Sequence, residues 1–421
     1  MSYFIPRFFR FSGYETTDIQ VSDRDKSVTV LLKPMPDKAL TCHLCGDEMV
    51  RIIHTKVRRV KDLDIRGYKT ILKFSRRTGE CLTCKKQRVE TVEFISPLSP
   101  HYTKEYSWWL GEMCEMAPVK KAARFSGIDN MTLRRIDYNR MLHMIQSYKI
   151  PKVTKISVDE VYARRKPKFR GESRNKKFFT IISDLDTRKV IWVSQSRDKA
   201  GLDQFFRIIG SEACQAIKVV AMDQHDAYRA SVSEYCRKAV VVWDRFHLMQ
   251  AFNEVANEMR KDIFAYADSK SDIRRLTQGK YRYLFLKKDS RRTTGERVHL
   301  EEVMEQNWHL SRLEVIKERF YRFFQEPDMN EAWKIFDQIG DWVEELDYPP
   351  LMKWWENLER SWDTLKNYFQ FKVTSALSEG INNVIKSIKR QAFGYRNMEY
   401  FQLKIMQRCG YLNSKYIPAP I

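Results

Sequence analysis

The chain has 421 residues, enough for two or more domains with sizeable cores. Its 43% hydrophobic and 13% aromatic content exclude a disordered chain, and no run approaches the roughly eighteen apolar residues of a membrane-spanning helix. A formal charge of +21 points to a polyanionic partner, with nucleic acid first and acidic membrane second. The opening MSYFIPRFFRFSGYE is too broken by Arg, Pro and Gly to be a signal peptide. Four of the eight cysteines form two CxxC pairs and the rest are scattered. That usage suits metal binding in a reducing cytoplasm better than a disulfide framework.

Residues 1–41 carry short alternating runs, such as 27–33, that read as strands. Cys42-His-Leu-Cys45 and Cys81-Leu-Thr-Cys84 follow, separated by a segment at 50–75 that alternates like a strand pair. Two CxxC knuckles supply four thiolates, which complete a tetrahedral zinc site and leave no open position for chemistry. The expectation is a zinc ribbon with a structural ion, set against four reduced, unligated thiols. His43 and His54 are alternative ligands or surface side chains. Pro97 and Pro100 mark a boundary, after which 105–148 turns helical. A first helix at 119–125, a turn at 126–129 and a second helix at 131–140 make a helix-turn-helix. Arg134, Arg135 and Arg140 ride its second helix, either to meet DNA or on a plain packing pair.

Beyond Pro151 the pattern is three strands, helix, strand, helix, strand, helix. The strands fall at 152–162, 178–183, 190–194, 217–222 and 239–243. This is an α/β core with a hairpin start and parallel strands thereafter. Ligands of such sheets gather at the carboxyl ends of strands, where Asp159 and Asp223 are expected. Glu160 competes with Asp159, since alternation sends the two to opposite faces. Asp226 competes with Asp223, and Asp244 is either a fourth site residue or a helix cap. Two such carboxylates, joined by one from a late helix, can hold a pair of Mg²⁺ ions for phosphodiester chemistry.

About 130 residues without a strand pattern separate Asp244 from Thr374. They read as an all-helical insertion, and its basic, aromatic run at 280–292 either clamps DNA or forms a solvated helix. The late helix lies within 374–396. Ile381, Val384, Ile385, Ile388 and Ala392 share one apolar face, and Gly394 is a plausible stop. The other face carries Glu379, Asn382, Asn383, Lys386, Lys389 and Arg390. It reads either as a metal-ligating carboxylate ahead of a DNA-binding row, or as an ordinary solvated face.

Several blocks are familiar together: Ser157-Val-Asp159-Glu160, Ala221-Met-Asp223, Trp243-Asp244-Arg-Phe-His247-Leu, and Ser378-Glu379-Gly-Ile-Asn382-Asn383-Val-Ile-Lys386 with Lys389-Arg390 and Gly394-Tyr-Arg396. On these the chain resembles bacterial insertion-sequence transposases of the DDE type, specifically the ISL-three family. The resemblance implies a ribonuclease H-like catalytic core interrupted by an all-α insertion and preceded by the zinc ribbon and helix-turn-helix. It implies a catalytic triad of Asp159, Asp223 and Glu379, ligating two Mg²⁺ or Mn²⁺ ions, with Asp244 and His247 in support. DNA contacts are expected from Arg134, Arg135, Asn382, Asn383, Lys386, Lys389 and Arg390. The family pattern has a shorter link after the first Asp motif, so the basic stretch 164–177 departs from it.

The expected layout is a zinc-ribbon DNA-binding module at 1–98 and a helix-turn-helix at 99–150. The core's first part follows at 151–248, the helical insertion at 249–372, and the core's last part with the glutamate helix at 373–421. The implied activity is binding of terminal inverted repeats in double-stranded DNA, cleavage, and transfer of 3′-hydroxyl ends to a target. The implied assembly is a homodimer or larger on the bacterial nucleoid, in the cytoplasm and away from any membrane. The alternatives are a ribonuclease H-like nuclease that cuts without joining, and a transposase-derived DNA-binding regulator without catalysis.

Overall fold

The computed structural model describes residues 9–163, 177–372 and 376–417. The basic stretch from 164 lies outside them apart from Lys177, as do Thr374 and Ser375, with which the sequence reading opens the late-helix stretch. Packing groups the chain into two units, Met1–Lys149 with Ser387–Ile421, and Ile150–Lys386.

The first unit begins with a five-stranded sheet. Its strands are β1 (Tyr14–Ser22), β2 (Ser27–Pro34), β3 (Ile52–Lys61), β4 (Lys69–Cys81) and β5 (Lys86–Val89). The order is β1-β2-β4-β3, with β5 also on β4. β2 runs parallel to β4, while β3 and β5 are antiparallel to it. Alternation puts Val28, Val30 and Leu32 of β2 on one face, where they meet Leu72 and Phe74 of β4. Edge-to-face contacts among Tyr14, Phe74 and Phe94, with centroids 5.1–5.6 Å apart, complete this core.

Helices α1 (Lys104–Met116), α2 (Val119–Ser126) and α3 (Asn130–Ser147) follow in the same unit. Gly127, at φ 68°, supplies the left-handed residue that ends α2, and the Asp129 side chain caps α3 by accepting from the Thr132 amide. α3 runs seven residues past Arg140, because Met141 and Met144 continue its buried face. Arg140 itself is a correction to the sequence reading: it is fully buried and faces no DNA. Its guanidinium lies 2.7 Å from Glu115, donates to Ser414 Oγ at 2.5 Å and stacks over Trp108. Gly111 makes room for it, since a Cβ there would stand 2.2 Å from Arg140 Cδ. The late helix α16 (Met398–Cys409) packs on α3 through a buried polar cluster. Asp137 accepts from Tyr400 Oη at 2.6 Å and from Lys404 Nζ at 3.1 Å, so neither buried charge is left alone.

The second unit holds a second five-stranded sheet: β6 (Lys155–Tyr162), β7 (Phe178–Asp184), β8 (Lys189–Ser194), β9 (Val219–Met222) and β10 (Val240–Trp243). Its order is β10-β9-β6-β7-β8. β6, β9 and β10 are parallel, β7 is antiparallel to β6, and β8 is antiparallel to β7. The crossovers are helices α4 (Lys199–Ala216) and α5 (Asp226–Tyr235), whose Leu202, Phe205, Phe206, Tyr228 and Val232 are buried. From α6 (Arg245–Tyr266) the chain is helical: α7 (Asp272–Leu276), α8 (Arg282–Leu286), α9 (Thr294–Gln306), α10 (Trp308–Phe323), α11 (Met329–Leu346), α12 (Pro349–Arg360), α13 (Trp362–Leu365) and α14 (Asn367–Phe371). Phe252, Phe320, Phe323, Phe336 and Trp354 form its aromatic interior. The Asn367 amide donates to Val241 O of β10 at 2.9 Å, tying the end of the helical stretch back to the sheet.

Helix α15 (Ala376–Gln391) comes next. Ile381, Ile385 and Ile388 are buried, but Val384 is 39% exposed and Ala392 lies outside on the surface. The apolar stripe is therefore narrower than the sequence pattern suggests. Each buried isoleucine contributes about 1.5–3 kcal/mol toward holding the helix in place. Among the described residues, no helix is long and apolar enough to cross a membrane.

Candidate functional site

The parallel register lines up three aspartates. Val158 of β6 pairs with Met222 of β9, and Met222 pairs with Trp243 of β10. The next residue on each strand is Asp159, Asp223 and Asp244, so the three stand in one row across neighbouring strands. Adjacent strands are about 4.8 Å apart, which makes them direct neighbours. Asp159 is not at a strand end, as the sequence suggested. β6 continues to Tyr162 because its pairing with β7 persists to Phe178, whereas its pairing with β9 stops at Val158.

Alternation separates Asp159 from Glu160. Glu160 accepts from Arg197 at 2.9 Å. Asp159, only 9% exposed, accepts instead from the Asn382 side-chain amide of α15 at 2.8 Å and from the Glu160 backbone amide at 2.6 Å. Glu379 precedes Asn382 by one turn on the same face of α15 and is exposed. Asp244 caps α6, its Oδ1 accepting from the Phe246 amide at 2.9 Å. That cap aims His247 back at the row, with Nε2 3.7 Å from Asp159 and 3.9 Å from Asp244. Burial disfavours a charged imidazole. The Asp159 carboxylate beside it and the charge of Asp244 outweigh that, pushing the His247 pKa up to about 9.

Asp223 is governed by burial, which raises its carboxyl pKa, helped by the charges of Glu160 and Asp159 and opposed by His247 and His225. Its Oδ1 is buried without a hydrogen-bond partner among the described residues. An orphaned carboxylate oxygen in an all-oxygen donor set suits a hard cation such as Mg²⁺. The acids do not close around a single ion: among the described residues, only the four cysteines bring three or more ligand atoms to such spacing. His225, two residues after Asp223, and Asn382 as a partner of Asp159 are site features that the sequence reading did not assign. The His225 signal was present in Asp223-Gln-His-Asp; Asn382 gave no sign of which way it turns.

The remaining expected contacts are distributed. Asn383, Lys386 and Arg390 are exposed along α15, and Lys389 is half-buried there. Arg134 and Arg135 are exposed on α3, with Arg134 lying over the Tyr400 ring.

The cysteines form a second centre, built by the loop before β3 and by the β4–β5 turn. All four sulfurs lie within 4.8 Å of one another, with Cys42–Cys84 at 3.9 Å and Cys45–Cys81 at 3.5 Å. Tetrahedral zinc with bonds of about 2.3 Å sets its sulfurs about 3.8 Å apart, so the set fits that ion. The Leu44 and Cys84 amides point at Cys42 and Cys81 sulfurs at 3.4 Å. The Cys45 backbone amide foremost brings the Cys42 thiol down to about 7. At Cys45 the lowering by the Asp47 amide is outweighed by burial and neighbouring sulfurs, which raise it, and burial raises Cys84. Without an ion the cluster therefore favours one thiolate shared among thiols.

Comparison with known proteins agrees with this layout. The profile of a transposase family, the ISL-three type, matches residues 156–405. The chain is 27% identical over 407 residues to the transposase for insertion sequence element IS1001 of Bordetella parapertussis, covering 94% of this chain and 95% of that one. It is 22% identical over 263 residues to the transposase for insertion sequence element IS1557 of Mycobacterium tuberculosis, covering 58% and 57%. The family match takes in every aspartate of the row, the helical stretch and α15, and the chain belongs to the ISL-three family of DDE transposases.

Proposed function

We propose that this protein binds the ends of its insertion sequence, cleaves the DNA there and joins the 3′-hydroxyl ends to a target. The observation that carries the reading is the aspartate row, with α15 attached to it through Asn382 and Asp159. Asp159, Asp223 and Glu379 are the carboxylates that would hold two Mg²⁺ or Mn²⁺ ions. Such ions, when bound, activate a water or 3′-hydroxyl and stabilise the leaving oxygen. Asn382 fixes the orientation of Asp159, and Asp244 fixes that of His247. A sheet whose first strand is central, with the antiparallel strand β7 and then β8 on one side and the parallel strands β9 and β10 on the other, supports the ribonuclease H-like reading.

The short Gly127–Asp129 turn between α2 and α3 supports a helix-turn-helix that reads DNA through Arg134 and Arg135. The four cysteines would hold a structural zinc ion that organises the N-terminal sheet. Synapsis of two ends requires at least a dimer. The test is incubation of purified protein with Mg²⁺ and DNA carrying the gene's own flanks. Cuts at the element boundary with products joined to a second DNA are expected. Cuts without joining would leave a nuclease, and binding alone a regulator.

A further inference from the structure

The basic run 280–292 is sorted by the fold into three different fates. Leu284 and Phe285 are buried, and Arg292 is buried in an ion pair with Glu314 at 2.6 Å. Lys280 and Arg282 lie over the neighbouring rings of Tyr281 and Tyr283. Lys288 and Arg291 instead line a cleft of about 680 Å³, and the same cleft takes in Arg245 and Phe246 of α6, Tyr321 of α10, and Glu379. Among the described residues, neither Lys288, Arg291 nor Arg245 is paired with a carboxylate, whereas Lys287 beside them is held by Glu296. Phe246 is 48% exposed and Lys288 lies over the Tyr321 ring.

Three cations not taken up by protein acids therefore line one cleft together with a single carboxylate, Glu379, and with the rings of Phe246 and Tyr321. A small acidic ligand would be repelled by Glu379 unless its negative charges were spaced along the cationic wall. A phosphodiester backbone meets that condition, and exposed Phe246 offers a π-face to an unstacked base, while half-buried Tyr321 backs Lys288. The volume lies within the roughly 300–1,000 Å³ of pockets that enclose a drug-sized molecule, too small for a duplex. We propose that this cleft, built by the helical insertion and α6, holds a single DNA strand running past Glu379. The strand's phosphates would lie on Arg245, Lys288 and Arg291. The identity of that strand as an element flank rests on the transposase reading; the single-strand site does not.

The experiment compares wild type, Lys288→Ala/Arg291→Ala, and a control, Lys280→Ala/Arg282→Ala, of equal charge in the same run. The probe is a forked DNA with one single-stranded arm carrying the gene's flank, titrated at several salt concentrations, with nicking followed in Mg²⁺. Loss of two single-strand phosphate contacts should lower the salt slope by about 1.4 and slow nicking at least tenfold, while the control keeps the wild-type slope. Melting temperatures check that both variants fold. A wild-type slope in Lys288→Ala/Arg291→Ala, or an equal fall in the control, overturns the cleft. If wild type cuts nothing but the slope falls only in Lys288→Ala/Arg291→Ala, the cleft stands and the transposase reading fails. If wild type cuts and joins while the slope is unmoved, the reverse holds.

Discussion

The side-chain amide of Asn382 donates to Oδ2 of Asp159 across 2.8 Å, joining α15 to the central strand of the sheet over 223 positions of sequence. The bond occupies one carboxylate oxygen and sets the plane of the other. Glu379 stands one turn earlier on the same face of α15.

Replacing Asn382 with Ala should therefore reduce cleavage about 10–100-fold, the usual cost of losing a group that orients a metal ligand. DNA affinity should be unchanged, because the amide is spent on Asp159. Single-turnover nicking alongside a binding titration checks this. A variant that cuts normally but binds weakly would return Asn382 to the DNA-facing row.

Metal removal should act first on the N-terminal module. One zinc per chain is expected by elemental analysis, and a strong chelator should lower the melting temperature of that module and weaken binding to the element end. Cys45→Ser should do the same without chelator. Unchanged melting after complete zinc removal would count against a structural role.

Glu90 is a pH-sensitive support of the same module. Its side chain is fully buried, with Lys38 and Arg77 both at 2.7 Å. Burial raises its carboxyl pKa, but Arg77 and Lys38 more than offset that, so the folded value lies below the ordinary one of 4.5. The stabilisation is whole above that unfolded value and is lost as pH falls through the lower folded one. Glu90→Gln should remove this part of the acid sensitivity and cost about 3 kcal/mol, since two cations lose their partner. Chemical denaturation between pH 7 and 3 measures both effects, and parallel curves for the variant and wild type would refute them.

Much of this arrangement is legible in the sequence, for identifiable reasons. The apolar runs ending at Met222 and Trp243 are short, β-branched and bounded, so the aspartates after them are found without a structure. The four cysteines declare themselves by spacing. Asp159 is harder to place, because its strand pairs on two sides with different lengths. Arg140 misleads because a cation on a helix reads as solvated, while its partners come from elsewhere in the chain, Glu115 and Trp108 from α1 and Ser414 from beyond α16. The inward turn of Asn382 is equally invisible: Asn382 and Asn383 are the same residue type side by side, and only the fold separates them. Nor does any pattern show that α16 returns to α3 through Asp137 and Lys404.

The central claim is that the aspartate row with Glu379 performs phosphodiester chemistry, and Asp223 tests it most directly. Its orphaned oxygen has no structural bond to lose, so Asp223→Asn should fold and bind DNA as the wild type does. The measurement is single-turnover cleavage of flank-bearing DNA in Mg²⁺, with binding followed on the same samples. The account predicts intact binding and cleavage reduced by about a thousandfold or more, a loss of about 4 kcal/mol in transition-state stabilisation. Cleavage by Asp223→Asn at the wild-type rate would contradict it.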